Sequence, residues 1–395
     1  YHNDPVAVPD DSIERINYIT NDYILDNLMH QSYPSGNNAV IGLAAYKQFF
    51  PGFKRVIGSL RYFGYKGHII LGVHPEINQE QKDYLIANDV TFYGVSVAEC
   101  DNSIYNTDKS YIRGKCSKDI PDLKMEWSRF EMARRWLNQC KECTGYSLIC
   151  DMRDIFFQAD PFLSLHSNSN AFSQTSDIMF IEEISPYSSP VDEPSRAFVA
   201  GNPRNAAHII PCYDKDTYKT YSNRPVLCSG TILGSKRGLN HMLSVLINEF
   251  HTNNHKANPK CKAPHTTDQW TMNWLYYNGY FHTTDSDSNT INKLTITTIP
   301  WGVGPVLTAG KACMTLDRKT GAHDVIMQNT DGFLLNRFTS TTTATITTTA
   351  TISSVTTANN NSLIAPMVHQ HDRCGKWVYD EVIDKHRHIY RGVSV

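Results

Sequence analysis

Between residues 39 and 150 the chain alternates short apolar runs with segments whose apolar residues recur at helical spacing. The short runs predict buried strands, and the spaced segments predict helices. Strand and helix in alternation predict an α/β fold with a mixed, mainly parallel sheet and helices on both faces. The predicted strands are residues 39–45, 68–73, 90–97 and 147–150, and the predicted helices are residues 53–63, 79–87 and 125–140.

The flanking regions are less regular. Residues 1–38 are polar and predict an N-terminal extension with one helix-like stretch at about residues 13–29, while residues 39–395 are expected to form one domain. Residues 339–357 contain eleven Thr and three Ser in nineteen positions, which predicts an inserted loop. Further strands are predicted at residues 178–181, 231–233 and 294–299, and further helices at residues 239–250 and 267–277.

Composition narrows the class of protein. The 37 Lys and Arg balance 39 Asp and Glu, which argues against a nucleic-acid partner. Apolar residues make up 41 % of the chain, enough for a large core. The longest apolar run, residues 39–45, is far shorter than the ~20 residues that span a bilayer. The chain opens at Tyr1 without a signal-like segment, so we expect a soluble portion of a longer protein, with membrane contact only through a segment outside it.

Ten cysteines suit an oxidising compartment. Cys140-Lys-Glu-Cys143 has the spacing of a zinc or redox pair, but a zinc ribbon would need a second such pair. Structural thiols or disulfides are therefore the favoured interpretation. The triplet Asn360-Asn361-Ser362 is a glycosylation sequon, which agrees with a secreted glycoprotein.

Candidate chemistry concentrates where the predicted strand at residues 147–150 ends. Asp151 follows the strand directly, and Asp154 comes after Met152 and Arg153. Ligands of parallel α/β sheets lie at the carboxyl ends of the strands, and two carboxylates there favour Mg²⁺ or Mn²⁺. The alternative is that both carboxylates cap the next turn while Arg153 neutralises them.

This acidic strand end, followed by Phe157-Gln-Ala-Asp-Pro-Phe162, resembles the Asp-x-Asp metal motif of the GT-A glycosyltransferases, with one extra residue between the carboxylates. Three later segments resemble the same family in the same order. The resemblance extends from about residue 39 to residue 373 and implies a GT-A-like (Rossmann-like) fold. The three segments are Cys228-Ser-Gly-Thr-Ile-Leu-Gly234, Thr267-Asp-Gln-Trp-Thr-Met-Asn273 and Pro366-Met-Val-His-Gln-His-Asp-Arg373.

The resemblance implies a role for each motif residue. Two assignments keep a competitor, since Arg135 could replace Arg134 and His371 could replace His369. Each residue also has a structural alternative: a helix cap, a surface ion pair or a core position. The implied metal ligands are Asp151, Asp154 and His369; the nucleotide-binding residues are Ala44, Tyr46, Arg134, Asp151 and Arg153; the catalytic residues are Asp268 and Gln269; and Ser229, Gly230 and Trp301 lie on the acceptor or sugar side.

The resemblance thus implies a glycosyltransferase that uses Mn²⁺ or Mg²⁺ to move a sugar from a nucleoside diphosphate sugar to a hydroxyl of a glycan or protein. Retention of anomeric configuration is slightly favoured, and the secretory pathway, in particular the Golgi lumen, is the expected location. One alternative is a non-catalytic carbohydrate-binding or adhesion protein on the same fold. Another is a sugar nucleotidyltransferase, which would be expected to carry a Gly-rich basic loop where Ala44-Ala-Tyr-Lys-Gln48 stands.

Overall fold

The structure is a computed structural model. The Thr-rich segment 339–357, the sequon 360–362 and Tyr46 lie outside the residues that it describes. The described residues are 24–45, 49–99, 112–113, 125–163, 176–183, 210, 212–213, 215–221, 224–249, 267–282, 294–309, 327–331, 333–336, 364–374 and 378–392.

A central sheet of mixed strand direction organises the described residues. In chain order the strands are β1 (Ile24–His30), β2 (Ala39–Ala44), β3 (His68–Val73), β4 (Val90–Glu99), β5 (Ile112–Arg113), β6 (Tyr146–Asp151), β7 (Ile155–Phe157), β8 (Ile178–Glu183), β9 (Val226–Ser235), β10 (Ile296–Ile299), β11 (Val306–Thr308), β12 (Met327–Gln328), β13 (Leu334–Leu335) and β14 (Met367–His369). The main sheet has the order β1-β4-β3-β2-β6-β9-β8-β10, and β5 pairs with β4. Strands β4, β3, β2 and β6 are parallel, whereas β1 and β9 run antiparallel to their neighbours.

Helices cover both faces of this sheet. They are α1 (Phe50–Tyr62), α2 (Gln79–Ala87), α3 (Met125–Gln139), α4 (Lys215–Tyr221), α5 (Lys236–Glu249) and α6 (Thr267–Tyr277). Apolar side chains of α3, α5 and α6 pack in one buried cluster, and those of α1 and α2 pack in another. The predicted α/β class with a mixed sheet and helices on both faces is therefore confirmed. Among the described helices, none is both long and apolar enough to cross a membrane.

The winding of the sheet reverses between two parallel neighbours, β2 and β6. From β2 the chain adds β3 and then β4 on one side, and it later returns to add β6 on the other side. Such a reversal opens a crevice outside the carboxyl ends of the two strands, which is where open α/β sheets bind their ligands. Asp151 is the last residue of β6 and pairs in register with Leu43, next to the end of β2.

A small second sheet brings the C-terminal part of the chain to this crevice. Its order is β11-β14-β7, and β7 begins directly after Asp154. The buried Gln158 amide fastens the arrangement, because its nitrogen donates to the carbonyls of Leu334 and Ala365, both at 2.9 Å, and its oxygen accepts from Leu334 N at 2.8 Å. A third cluster of apolar side chains, including Trp301 and Val368, packs around this sheet.

At the N-terminal edge the predicted helix was wrong for residues 24–29, and its residues 13–23 lie outside the described part of the chain. Of the helix-like stretch at residues 13–29, the structure describes residues 24–29, and these belong to the edge strand β1, antiparallel to β4. Asp26 explains the outcome, since its carboxylate accepts hydrogen bonds from Arg135 at 3.2 Å and from the Trp136 indole at 3.1 Å. These tertiary contacts decide the conformation where the local pattern suggested a helix.

The structure shows which of the described cysteines are disulfide-bonded and which are free. Cys140 and Cys143 form a disulfide in the short connection between α3 and β6. Cys212 and Cys374 each take part in a disulfide as well. Among the described cysteines, Cys150 and Cys228 are free and buried. Cys140 and Cys143 are thus a disulfide pair, as the favoured interpretation predicted.

We expect Gln158→Leu to lower the free energy of unfolding by about 2–4 kcal/mol, because it keeps the side-chain volume and leaves the Leu334 amide and the Ala365 carbonyl without a partner. The Leu334 carbonyl would keep the hydrogen bond that it accepts from the Ala365 amide at 3.0 Å. Urea denaturation would measure the change. Gln79→Leu is the matched control, since Gln79 makes its hydrogen bond to Asp83 at an exposed position and its loss should cost under about 0.5 kcal/mol. Equal changes in the free energy of unfolding for the two substitutions would contradict the stabilising role of the Gln158 hydrogen bonds.

Candidate metal centre

Three side chains that lie far apart in the sequence meet at the carboxyl end of β6. Asp151, Asp154 and His369 each offer a ligand atom within 4.8 Å of the others. His369 Nε2 lies 3.9 Å from Asp151 Oδ2 and 3.6 Å from Asp154 Oδ1. The structure therefore brings together the three residues that the sequence predicted as metal ligands.

Strand pairing explains why these residues meet. In the antiparallel β7–β14 ladder His369 is the partner of Ile155, the residue after Asp154. On its other side His369 pairs with Thr308 of β11. The amide of His371 donates to the Asp154 carbonyl at 3.3 Å, so the chain after β14 stays close to the acidic turn. Backbone register thus places the imidazole beside both carboxylates.

The donor atoms of this group fit a cation. Asp154 is 3 % and His369 1 % exposed, yet Asp154 Oδ1 and His369 Nε2 have no hydrogen-bond partner among the described residues. A buried polar atom without a partner costs about 1–3 kcal/mol, which a bound cation would offset. Asp151 is more open, with 38 % of its side chain exposed. Two carboxylate oxygens and one imidazole nitrogen suit Mn²⁺ or a similar divalent ion.

Gly230 keeps the space beside this group open. A Cβ atom at this position would lie 2.7 Å from Asp151 Oδ2 and 2.8 Å from His369 Nε2. Both distances are shorter than any normal Cβ contact, so any side chain here would push the two ligands away. Glycine is therefore required by close approach. Gly230 belongs to β9, which lies antiparallel next to β6.

The electrostatics of His369 depend on its neighbours. Burial lowers the pKa of His369, but Cys228, Asp154 and Glu183 together raise it to about 9. Cys228 Sγ lies 3.5 Å from the second ring nitrogen, Nδ1.

The residue after His369, Gln370, has a left-handed backbone conformation with φ 61°, and its side-chain amide donates to Glu183 at 3.1 Å. A non-glycine residue in that conformation costs about 1–3 kcal/mol and is typical of functional sites.

Arg129 of α3 links the metal group to the start of α6, and sequence reasoning missed it. Its guanidinium forms an ion pair with Asp151 and a second one with Asp268 at 2.7 Å. It also donates to the Ser229 carbonyl at 3.1 Å, and the Ser229 hydroxyl donates to Asp268 at 3.1 Å. One cation thus holds two carboxylates that the sequence assigned to different roles.

The two predicted arginines lie elsewhere on the same helix. Arg134 pairs with Glu131 at 3.1 Å, and Arg135 pairs with both Glu131 and Asp26. A helix that leads into a strand of a parallel sheet runs antiparallel to that strand. The first residues of α3 therefore lie nearest the carboxyl end of β6. At ~1.5 Å per residue, Arg134 lies about 7.5 Å farther from that end than Arg129. The position of Arg129 near the start of the helix was therefore a signal in the sequence that could have identified it.

The two residues of the predicted Asp-Gln helix start make different contacts. Asp268 faces Arg129 and Ser229, whereas Gln269 donates to the Leu227 carbonyl at 3.2 Å. Asn273 holds the same residue of β9 from both sides, accepting from Leu227 N and donating to Leu227 O, each at 2.8 Å. Asp268 is therefore part of the acidic cluster, and Gln269 anchors α6 to β9.

The remaining predicted site residues differ in their placement. Ala44 is buried at the end of β2, beside the crevice. Arg153 is largely exposed and pairs with Asp372 at 3.7 Å. Trp301 is only 3 % exposed, and its indole donates to the Thr308 carbonyl at 2.8 Å. This burial argues against Trp301 as a stacking surface for a sugar, and it corrects that expectation: the indole fills the third core cluster instead.

His371, the alternative metal ligand, is not among the three residues that converge. Its ring packs against Phe156, with centroids 5.4 Å apart. Burial, Arg55 and His369 hold the pKa of His371 well below its usual range. His369 is therefore the histidine within reach of both carboxylates.

Comparison with known proteins finds no family model that matches the chain and no curated protein with significant similarity.

The raised pKa of His369 predicts a pH dependence of stability in the presence of a chelator. Protonated His369 stabilises the folded state fully below its unfolded pKa of ~6.5, and this contribution is lost as pH rises through about 9. We expect the free energy of unfolding to fall by about 3 kcal/mol between pH 6 and pH 9.5 from this group. Urea titrations would measure it, with His369→Gln as the control. The same slope in that variant would contradict the assignment.

Proposed function

We propose that this protein is a GT-A-like glycosyltransferase that uses a divalent metal to transfer a sugar from a nucleoside diphosphate sugar to a hydroxyl acceptor. The observation that carries the proposal is the convergence of Asp151, Asp154 and His369 beside Arg129 and Asp268. This convergence lies at the reversal point of an α/β sheet, where nucleotides bind in other folds of this class.

The three converging residues would hold the cation. Bound there, a Mn²⁺ or Mg²⁺ ion would supply Lewis-acid neutralisation of the charge that develops on the leaving diphosphate. Asp154 and His369 would provide buried ligand atoms, which keep water away and strengthen the electrostatic interaction. Asp151, the more exposed ligand, would face the donor.

Arg129 has the geometry of a positioning residue. It fixes one oxygen of Asp151, so the other oxygen points towards His369. Its second contact fixes Asp268, whose carboxylate the Ser229 hydroxyl also holds. Asp268 is thereby oriented towards the metal group. We assign Asp268 to the region of the donor sugar and the Ser229–Gly230 segment to the acceptor or sugar side.

The nucleotide would bind at the crevice between the ends of β2 and β6. The end of β2 at Ala44 is apolar and buried, so it offers backbone groups and no charged side chain. Negative charge from the diphosphate would meet the metal and Arg129. We infer retention of configuration over inversion, on the basis of the Asp-Gln motif at the start of α6.

We also infer that the acceptor is a glycan or protein in the secretory pathway, with the Golgi lumen as the expected compartment. The Cys140–Cys143 disulfide supports this location, because disulfides persist in oxidising compartments. The near-neutral charge of the chain argues against a nucleic-acid partner.

Release of nucleoside diphosphate from a panel of nucleotide sugars, with Mn²⁺ added, tests this function. We expect turnover of one donor, and we expect Asp154→Asn to lower kcat by at least ~100-fold because it removes one charge from a hard-cation site. Asp372→Asn is the matched control, since Asp372 pairs with Arg153 at an exposed position on the neighbouring turn. No turnover of any donor, with sugar binding retained, would indicate a carbohydrate-binding protein instead.

The Mn²⁺ requirement should separate the two histidines. His369→Ala should raise the Mn²⁺ concentration at half-maximal activity by at least ~10-fold, while His371→Ala should change it little once folding is verified by thermal unfolding. Equal shifts in both variants would remove His369 from the metal site.

Gly230→Ala should also raise the Mn²⁺ requirement, because its methyl group would displace Asp151 or His369. Gly58→Ala is the control. In α1 the added Cβ would meet only the Tyr84 hydroxyl at 3.1 Å and the Ile389 carbonyl at 3.5 Å, and alanine favours a helix. Metal titrations of donor turnover would compare the two. Unchanged Mn²⁺ dependence in Gly230→Ala would contradict the proposed space beside the ligands.

A further inference from the structure

A second group of metal-ligating residues lies at the opposite end of the sheet. His68 is the first residue of β3, and Cys140 and Cys143 lie in the connection that enters β6. The three residues offer ligand atoms within 4.8 Å of one another. All are buried, with 2 %, 5 % and 0 % of their surfaces exposed.

The imidazole of His68 has a free ring nitrogen among the residues that the structure describes. Its Nε2 atom is buried and has no hydrogen-bond partner among the described residues. Its backbone is fixed, because the amide donates to Asn38 O at 2.8 Å and the carbonyl accepts from the Tyr65 hydroxyl at 3.0 Å. A ring nitrogen without a partner among the described residues therefore lies close to two sulfur atoms, on a backbone that is held in place.

The connection that carries the two cysteines is also anchored. Lys236 of α5 donates its ammonium to the Cys140 carbonyl at 2.7 Å, and the Cys140 amide donates to Trp136 O at 3.0 Å. The Cα atoms of Cys140 and Cys143 lie 5.4 Å apart. In a tetrahedral zinc site with Zn–S bonds of ~2.3 Å, the two sulfurs stand about 3.8 Å apart, which the Cys-x-x-Cys spacing permits.

We propose that His68, Cys140 and Cys143 form a redox-convertible zinc site, which carries a disulfide when oxidised and binds one Zn²⁺ when reduced. A dithiol reductant donates two electrons and two protons to the disulfide and becomes a disulfide itself, leaving two protein thiols. Binding of Zn²⁺ then releases both thiol protons and leaves two thiolates and the His68 imidazole as ligands, with the fourth position open to water.

This site differs in chemistry from the centre at the other end of β6. Thiolates are soft ligands that select Zn²⁺, whereas the carboxylates of Asp151 and Asp154 favour harder ions such as Mn²⁺. Because Zn²⁺ binds only the dithiol, it also shifts the thiol–disulfide equilibrium towards the reduced form. The inference is independent of the proposed glycosyltransferase activity.

The test uses the full chain with Asp154→Asn, so that the carboxylate centre is weakened, after reduction with a phosphine. Cobalt(II) is the probe, because thiolate coordination gives a charge-transfer absorption that carboxylate ligation does not. We expect one equivalent of Co²⁺ with this signature, displaced by Zn²⁺. His68→Asn should weaken Co²⁺ affinity at least tenfold, and His386→Asn, at another buried histidine, should leave it unchanged.

Cysteine specificity is tested with the Cys140→Ser/Cys143→Ser double variant, which should lose the absorption. Circular dichroism of each reduced sample checks that the fold persists. A second measurement avoids complete reduction: alkylation and mass spectrometry of Cys140 and Cys143 in a thiol–disulfide buffer should show more dithiol with Zn²⁺ than with a chelator. Absence of the absorption, its persistence in the double serine variant, or equal affinity in His68→Asn would overturn the proposal.

Discussion

The rest of this structure depends on one constraint, the close approach of a buried carboxylate and a buried imidazole. Among the described residues, neither Asp154 Oδ1 nor His369 Nε2 has a hydrogen-bond partner. The β7–β14 ladder holds Asp154 and His369 close together, because its register pairs His369 with Ile155, the residue after Asp154. The Gln158 clamp and the apolar cluster around Trp301 stabilise that ladder. The unpartnered buried atoms lower the stability of the fold at this point, which is typical of a ligand-binding site.

Charge balance is the second organising feature of the site. Carboxylates of Asp151, Asp154, Glu183 and Asp268 gather around it, and among the described residues the cations in contact with them there are Arg129 and His369. A divalent cation would offset most of the remaining negative charge. Without it, the excess negative charge is met in part by protonation of His369, since Asp154 and Glu183 raise its pKa despite its burial. Metal and proton therefore compete for the same imidazole.

The two ends of the central sheet have opposite chemical character. The carboxyl end of β6 carries hard oxygen ligands, open to solvent through Asp151. The other end carries sulfur and imidazole ligands in a closed environment at His68, Cys140 and Cys143. The strand β6 connects them, so its six residues separate a group of carboxylate oxygens from a group of sulfur atoms.

The sequence by itself determined the elements whose signal is local. The apolar runs at β2, β3 and β6 and the helical spacing at α1 and α3 specified an α/β sheet, and Asp151 at a strand end marked the site. Tertiary structure alone decided the rest. It brought His369 beside Asp154 through strand register, turned residues 24–30 into an edge strand and buried Trp301. Each of these depends on contacts between residues distant in the chain, which no local periodicity encodes.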